Sequence, residues 1–318
     1  MELKTSKGIA TRPLDTNAQG LSPQARRQTF LKRPQVRVFC RQKSGLAGLV
    51  ILILLTIVGI SAPLIAPYDP LNVIIEKRFL PPSSRHLLGT DEFGRDVLSR
   101  IIWGARISLG FSAAGVGLGL LCGVPLGLTS GYFGGKIDQA IMRLLDIVLA
   151  FPSILVAMFA VAVMGPSSFI VMVAIAIINV PTFARIVRAN TLSLKEKEFV
   201  EASRAGGAHD RYLLFRVILP NCLPAIMVQM TVSIAFAILL ESALSFLGLG
   251  TQPPDPSWGT MLNSGRAHLY RAPWLGIFPG AAITLLVLSL NFLSDALQVT
   301  MNPASAQGAR RTRAPNQR

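Results

Sequence analysis

Charged residues are scarce in this chain. They make up 15% of its 318 residues, whereas hydrophobic residues make up 51%. A soluble particle of this size needs more polar surface, so the composition excludes an ordinary soluble protein and indicates an integral membrane protein. Aromatic residues are also few, at 7%, and no basic stripe is interleaved with them. The net charge of +15 therefore does not indicate nucleic-acid binding, and we expect no nucleic acid among the partners.

Cysteine and histidine number three each. No two cysteines have CxxC spacing and all three fall near or inside apolar segments, which indicates buried or inert thiols rather than metal ligands or disulfides. The histidines fall in predicted loops on differing sides of the membrane. An intramembrane enzyme would need a nucleophile, a base or a metal cluster at membrane depth, so this function is disfavoured and no catalytic or metal site is predicted. The six residues are Cys40, Cys122, Cys222, His86, His209 and His268.

A nucleotide-binding loop is also missing. The nearest segment, at residues 131–137, has Ser130 in place of the first glycine that a phosphate loop requires. Ile137 replaces the Ser or Thr that would hold Mg²⁺. We therefore expect no cofactor on this chain and no enzymatic activity. If ATP drives the protein, its hydrolysis takes place on another polypeptide.

Long apolar runs are what the chain has in abundance. A helical span needs about 20 apolar residues, because the hydrocarbon core of a bilayer is about 30 Å thick and a helix rises about 1.5 Å per residue. Six runs qualify, at residues 45–66, 107–130, 140–164, 168–186, 223–247 and 274–299. The predicted fold class is all-α integral membrane, with six transmembrane helices in a lipid bilayer. The first run follows a long charged segment, which favours an uncleaved helix over a signal peptide.

The distribution of Lys and Arg predicts the sidedness. They concentrate before the first span, between the fourth and fifth spans and after the last span, so the positive-inside rule places both termini in the cytoplasm. Residues 1–44 and 302–318 are predicted to be basic, disordered tails, because they have too few apolar positions to pack. The transmembrane domain covers residues 45–301. It includes a periplasmic loop at 67–106 and a cytoplasmic loop at 187–221.

The cytoplasmic loop contains a polar, hinged segment. A short helix is predicted around Glu201, and the pair Gly206-Gly207 then interrupts it, because glycine costs about 1 kcal/mol in a helix interior and readily adopts positive φ. An amphipathic second helix follows and is predicted to end at Pro220. Its apolar stripe consists of Leu213, Leu214, Val217 and Ile218. This pattern alone is compatible with two interpretations, a plain basic connector and a functional protrusion.

The same loop resembles the EAA signature of the permease subunits of ABC importers. Ser203 stands where that family usually has Ala, and Val217 where it usually has Ile; both changes keep size and nearly keep polarity. In the family, the signature forms a cytoplasmic helix-turn-helix whose first part, the coupling helix, sits in a cleft of the ATP-hydrolysing subunit. The resemblance therefore implies a coupling role for the matching residues, which are Glu201, Ala202, Ser203, Gly207, Val217, Leu219 and Pro220.

Two further stretches resemble the dipeptide and oligopeptide permease C-type branch of that family. They are HLLGTDEFGRDVLSRIIWGARISL, residues 86–109, and ESALSFLGLGTQPPDPSWGTML, residues 241–262. The resemblance implies a type I ABC importer permease fold in a bacterial inner membrane. It also implies three kinds of partner: a second homologous permease subunit, two ATP-binding subunits that use ATP and Mg, and an external solute-binding protein. The transported solute is left open among dipeptides, longer peptides, glutathione and nickel complexes.

An alternative function is a self-sufficient secondary transporter. It would ordinarily need internal repeats with broken helices that meet at the bilayer midplane, and no such self-similarity is evident in the sequence. An intramembrane enzyme is the less favoured alternative, for the reasons given above. The leading prediction is therefore a permease subunit of an ATP-driven, binding-protein-dependent importer.

Polar residues near or inside the spans raise further hypotheses. Glu241 lies in the outer third of the fifth span. Ionisable side chains cost about 2.5 to 3.5 kcal/mol at the middle of a span and therefore indicate function. Glu241 is a possible pathway or gate residue, although a hydrogen bond between helices or a carboxylate that reaches water is favoured. Arg143 and Asp146 are three residues apart and can pair. The role of Asp295 is left open.

Three structural expectations concern the second span and the turn before it. The acidic turn at residues 89–96 is interpreted as structural rather than metal-binding, because its acids are contiguous and Arg95 would neutralise them. The apolar positions after it, at 97–102, predict an amphipathic helix that lies at the membrane interface. In the second span, four glycines would let a neighbouring helix approach closely, namely Gly115, Gly117, Gly119 and Gly123.

Overall fold

The computed structural model describes residues 38–40 and 42–301. The predicted basic tails lie almost entirely outside these residues. The described chain is helical, and its only β-type pairing there is an isolated bridge between Thr90 and Asp96. The helices are α1 (Lys43–Ile60), α2 (Ala62–Ile65), α3 (Val97–Phe133), α4 (Gly135–Leu149), α5 (Ser153–Met164), α6 (Ser168–Lys195), α7 (Glu198–Ala205), α8 (Asp210–Phe246), α9 (Trp258–Arg266) and α10 (Trp274–Met301), with a short 3₁₀ turn at Ile75–Lys77.

Five helices are long and apolar enough to cross a membrane: α1, α3, α6, α8 and α10. The pair α4 and α5 also passes this test when taken together, although the two are bent by 81°. One end of the pair lies beside the C-terminal part of α6, where Arg188 binds Asp138 of α4. The other end leads into Ser168 at the start of α6, which donates to Thr251 at the opposite end of the bundle. The pair thus joins opposite ends of the bundle, and the predicted count of six spans is confirmed.

The third predicted span differs in shape from the structure. The sequence predicted one helix over 140–164, whereas the chain breaks at Ala150 to Pro152 between α4 and α5. Pro152 has no N–H to donate, and it disfavours helical geometry at Phe151 before it. The result is a bent span with many exposed apolar side chains, among them Leu144, Phe151 and Phe159.

Helix α3 is longer than the predicted second span. It runs without a break for 37 residues from Val97, which corresponds to about 55 Å at about 1.5 Å per residue. The separate interfacial helix predicted at 97–102 is therefore wrong. Those residues are the first turns of α3, where Val97 and Ile102 are buried and the Asp96 side chain caps the helix by accepting from the Ser99 N–H at 2.8 Å.

The centre of the bundle is the close packing of α3 on α6. Small residues repeat at four-residue intervals along α3, and a Cβ atom at any of them would lie within 3 Å of an atom of α6. Close approach of this kind is typical of membrane helices. The prediction is confirmed for Gly115, Gly119 and Gly123, whereas Gly117 faces open space. The full series is Gly115, Gly119, Gly123, Gly127 and Gly131.

The segment between α2 and α3 folds over the end of the bundle opposite Gly207. Its acidic turn is buried, and Arg95 Nε binds the Asp91 carboxylate at 2.6 Å, so the predicted neutralisation by Arg95 is confirmed. Arg100 Nε lies 3.6 Å from the same carboxylate. His86 Nδ1 lies 3.0 Å from Asp96. Trp274 then ties the turn to α10, because its indole N–H donates to the Thr90 carbonyl.

Candidate functional site

Helix α7 protrudes from the bundle at the end where α3 and α6 finish. Glu201, Ala202 and Arg204 are exposed, and Phe199 is 44% exposed. Val200 is fully buried and is the one side chain of α7 that enters the core. The helix thus presents most of its surface outward.

A glycine turn ends α7 with a defined geometry. Gly207 has φ +82°, which is a backbone conformation that suits glycine. Its N–H donates to the Arg204 carbonyl, and the Ala208 N–H donates to the Ser203 carbonyl at 3.2 Å. This pair of bonds is the Schellman motif, which commonly closes helices on a glycine. The predicted turn at Gly207 is confirmed.

The return helix packs against the membrane helices. Leu213, Leu214 and Ile218 are buried, and they join Val200 in one apolar cluster with residues of α3 and α6. Val217 and Leu219 are half-buried at the edge of this cluster. The predicted apolar stripe therefore fixes the protrusion to the bundle.

Pro220 does not end this helix, contrary to the prediction. The chain is helical from Asp210 to Phe246, with Pro220 and Pro224 inside it. The preceding stretch Leu213–Ile218 is π-helical. This wider hydrogen-bonding pattern changes the register just before Pro220, which has no N–H to donate.

Three polar side chains connect the protrusion to α3. The Tyr132 hydroxyl donates to Asp210 at 2.5 Å, and Arg204 donates to the same hydroxyl at 3.2 Å. This contact holds the pKa of the Arg204 guanidinium above its ordinary value. Asp210 also stands in the first turn of α8, where the helix dipole favours an acidic residue. Sequence reasoning missed Tyr132 and Asp210, because they are 78 positions apart.

The structure sorts the seven predicted coupling residues into two groups. Glu201, Ala202, Ser203 and Gly207 lie together on the protrusion, and the Ser203 hydroxyl donates to the Phe199 carbonyl at 2.8 Å. Val217, Leu219 and Pro220 lie on α8, away from the tip of the protrusion. Their coupling role stays a hypothesis.

Glu241 lies at the other end of α8 and is buried, with 1% of its surface exposed. Ser245 donates to its carboxylate at 2.8 Å, and the hydroxyls of Ser108 in α3 and Ser257 before α9 also face it. The carboxylate does not reach solvent in this structure. Ser245 is a local partner that the sequence analysis missed, although the four-residue spacing could have shown it.

We expect Glu241→Gln to leave the complex assembled and to lower uptake only modestly. The amide keeps an acceptor for the Ser245 hydroxyl, and the other serine hydroxyls can rotate to donate or accept, so the change weakens hydrogen bonds without leaving a group unpaired. We expect a loss of about threefold or less in rate. Uptake and complex yield should be measured together in membrane vesicles. Complete loss of uptake at normal complex levels would show instead that Glu241 acts as a gate.

A second acidic residue pairs differently from the prediction. Asp146 binds Arg185 of α6 at 2.5 Å rather than its neighbour Arg143. Arg188 of α6 makes two contacts of 2.6 Å to Asp138. Both ion pairs join α4 to α6 and fix the first arm of the bent span.

Family comparisons agree with this architecture. The model of the binding-protein-dependent transport system inner membrane component matches residues 123–306, and that of the N-terminal transmembrane domain of oligopeptide transport permease C matches residues 34–82. The chain belongs to the family of binding-protein-dependent transport system inner membrane components. It is a multi-pass inner membrane permease, as the resemblance in its sequence predicted.

Similar proteins cover most of this permease. The glutathione transport system permease protein GsiD of Pectobacterium atrosepticum is 44% identical over 84% of this chain and 89% of its own length. The dipeptide transport system permease protein DppC of Alkalihalophilus pseudofirmus is 41% identical over 83% of this chain and 86% of its own. An inward-facing structure of the MetNI methionine ABC transporter aligns with a TM-score of 0.53 at 18% identity, over 64% of this chain and 97% of that one. The last likeness shows that this permease has the fold of an ABC importer permease.

Proposed function

We propose that this permease forms half of a translocation pathway for peptides or related amide-containing solutes, and that α7 couples it to an ATP-binding subunit. The observation that carries the proposal is the construction of α7. Its exposed surface is held rigidly by buried Val200, by the Schellman turn at Gly207 and by the Tyr132 contacts. A rigid protrusion can transmit the movement of a soluble partner to α3, α6 and α8, on which it rests.

The proposal includes the partners and the sidedness. A second homologous permease completes the pathway, two ATP-binding subunits use ATP and Mg, and a solute-binding protein delivers the solute at the opposite face. The end that carries α7 faces the cytoplasm, as do both termini, in agreement with the surplus of Lys and Arg there. Similar proteins named for dipeptide and glutathione transport support an amide-containing solute.

Ala202→Arg tests the contact surface of α7. A long cation on the exposed face should prevent insertion of α7 into a complementary cleft, so the ATP-binding subunits should no longer co-purify with the tagged permease. Gln139→Arg is the matched control, because it introduces the same side chain at an exposed position of α4 near the same end. Retention of the ATP-binding subunits by both variants would overturn the assignment of α7.

A further inference from the structure

Helix α10 has an exposed polar stripe inside a membrane span. Thr284, Asn291, Asp295 and Gln298 are exposed and are spaced by seven, four and three residues, which places them on one face of a helix. Leu288, which is 45% exposed, interrupts this face between Thr284 and Asn291. The stripe extends for about 21 Å at about 1.5 Å per residue. A face of this kind does not suit lipid, because it exposes an aspartate and two carboxamides along the last turns of a membrane span.

The end of this stripe opens into a polar cleft. The cleft measures about 690 Å³, lies between α6, α8 and α10, and is within the size range of small-molecule sites. Four carboxamide side chains line it, namely Asn190, Asn221, Gln229 and Gln298. Gln298 belongs to both the stripe and the cleft, so the two form one continuous surface, which we call the carboxamide face.

The lining amides retain hydrogen-bonding capacity. Asn190 donates to the Ile186 carbonyl at 2.8 Å, Asn221 to the Val217 carbonyl at 2.7 Å, and Gln229 to Ser233 at 3.2 Å. Each of these bonds uses one amide hydrogen. A carboxamide has two hydrogens and a carbonyl oxygen with two lone pairs, so each side chain can still donate and accept.

The exposed face of α3 has a different composition. Along α3, the exposed positions in the membrane are Gly110, Ala114, Leu118, Leu121, Cys122 and Pro125, and Leu121 is 66% exposed. These side chains suit lipid, whereas the carboxamide face does not. The bundle therefore has one apolar side and one polar side, as expected of a subunit that borders water within a membrane.

We propose that the carboxamide face lines the aqueous pathway and binds the amide groups of the transported solute. This inference rests on the proposed function and names the residues that would contact the solute. A carboxamide carries the same donor and acceptor as a peptide bond, so it can pair with the backbone of a solute whatever its side chains are. Asp295 adds a negative charge that suits a free ammonium group. Dipeptides and glutathione share this chemistry, and neither requires a pocket for a particular side chain.

Cysteine labelling of the assembled transporter tests the position of the face. In a background without Cys40, Cys122 and Cys222, we expect Asn291→Cys and Gln298→Cys to react with a membrane-impermeant sulfonated methanethiosulfonate. Leu285→Cys is the matched control, because Leu285 is 44% exposed on another face of α10. Protection of both test positions, as expected if a partner helix covers them, would overturn the inference. Equal labelling of all three positions would overturn it as well.

Transport by the double variant Asn291→Leu with Gln298→Leu tests solute binding. Uptake of radiolabelled alanyl-alanine and of glutathione into proteoliposomes should fall roughly tenfold, because two hydrogen-bonding groups are removed from the pathway. Co-purification of the ATP-binding subunits and ATP hydrolysis stimulated by the binding protein should be retained. Wild-type uptake in this variant would overturn the inference and leave the proposed function intact. A wild-type complex without ATP-binding subunits would overturn the proposed function itself.

Discussion

Gly207→Val should abolish uptake and release the ATP-binding subunits from the purified complex. Gly207 has φ +82°, a region in which a residue with a Cβ is strained by about 1 to 2 kcal/mol, and a β-branched residue by more. The strain does not come from a steric clash with other residues, because a Cβ atom at this position would meet nothing within 4 Å. The strain therefore acts on the backbone, opens the Schellman turn and reorients α7.

Gly206→Val is the matched control for this prediction. Gly206 lies one residue earlier in the same turn, but its φ is −76°, which any residue can adopt. Its added Cβ would lie 3.4 Å from the Ala202 carbonyl oxygen, an ordinary contact. We expect this variant to keep its partners and its uptake, and we expect the solute affinity of the separate binding protein to be unchanged in both. Equal behaviour of the two valine variants would mean that the Gly207 conformation has no part in coupling.

Hydropathy was sufficient to find the spans but not their shape. The criterion of about 20 apolar residues is local, so six runs were found from the sequence. The break before α5 coincides with Pro152, yet Pro125, Pro181 and Pro279 lie inside helices that continue. Neighbouring helices can compensate for a missing N–H in a membrane protein, so proline alone does not predict where a span bends.

Some features of α7 and the start of α8 could be predicted because they depend on residues that are close in sequence. The glycine turn and the apolar stripe of α8 depend on nearby residues, and both were visible in the sequence. The contacts that hold α7 and α8 in place, such as Tyr132 with Asp210, depend on the packing of α3 beside α8. They could not be predicted from the sequence. The same reason explains why Asp146 was paired with nearby Arg143, whereas its partner Arg185 lies 39 positions away.

Asp91→Ala should destabilise the permease more than any other single change in the segment between α2 and α3. Arg95 and Arg100 are 9% and 6% exposed, and both guanidinium groups lie beside this carboxylate. Removal of one partner of a buried ion pair costs about 3 to 5 kcal/mol, because the remaining charge loses its counterion without regaining water. The carboxylate also accepts from the Phe93 and Arg95 N–H groups, each at 2.9 Å, and these donors would lose their partner too.

Two further variants separate the causes of the stability loss expected for Asp91→Ala. Asp91→Asn keeps an oxygen for the two N–H groups, but it removes the charge and replaces the oxygen that accepts from Arg95 Nε. Its thermal unfolding midpoint in detergent should therefore lie between those of the wild type and Asp91→Ala. Glu76→Ala removes an exposed carboxylate from the same segment and should leave the midpoint unchanged.

If Asp91→Ala unfolded at the wild-type temperature, the two arginines would have to be neutralised by other groups. Glu92, whose carboxylate lies 3.8 Å from Arg95, would be the first candidate. Arg100 would then depend on its bond to the Pro70 carbonyl, which is uncharged and cannot replace a counterion.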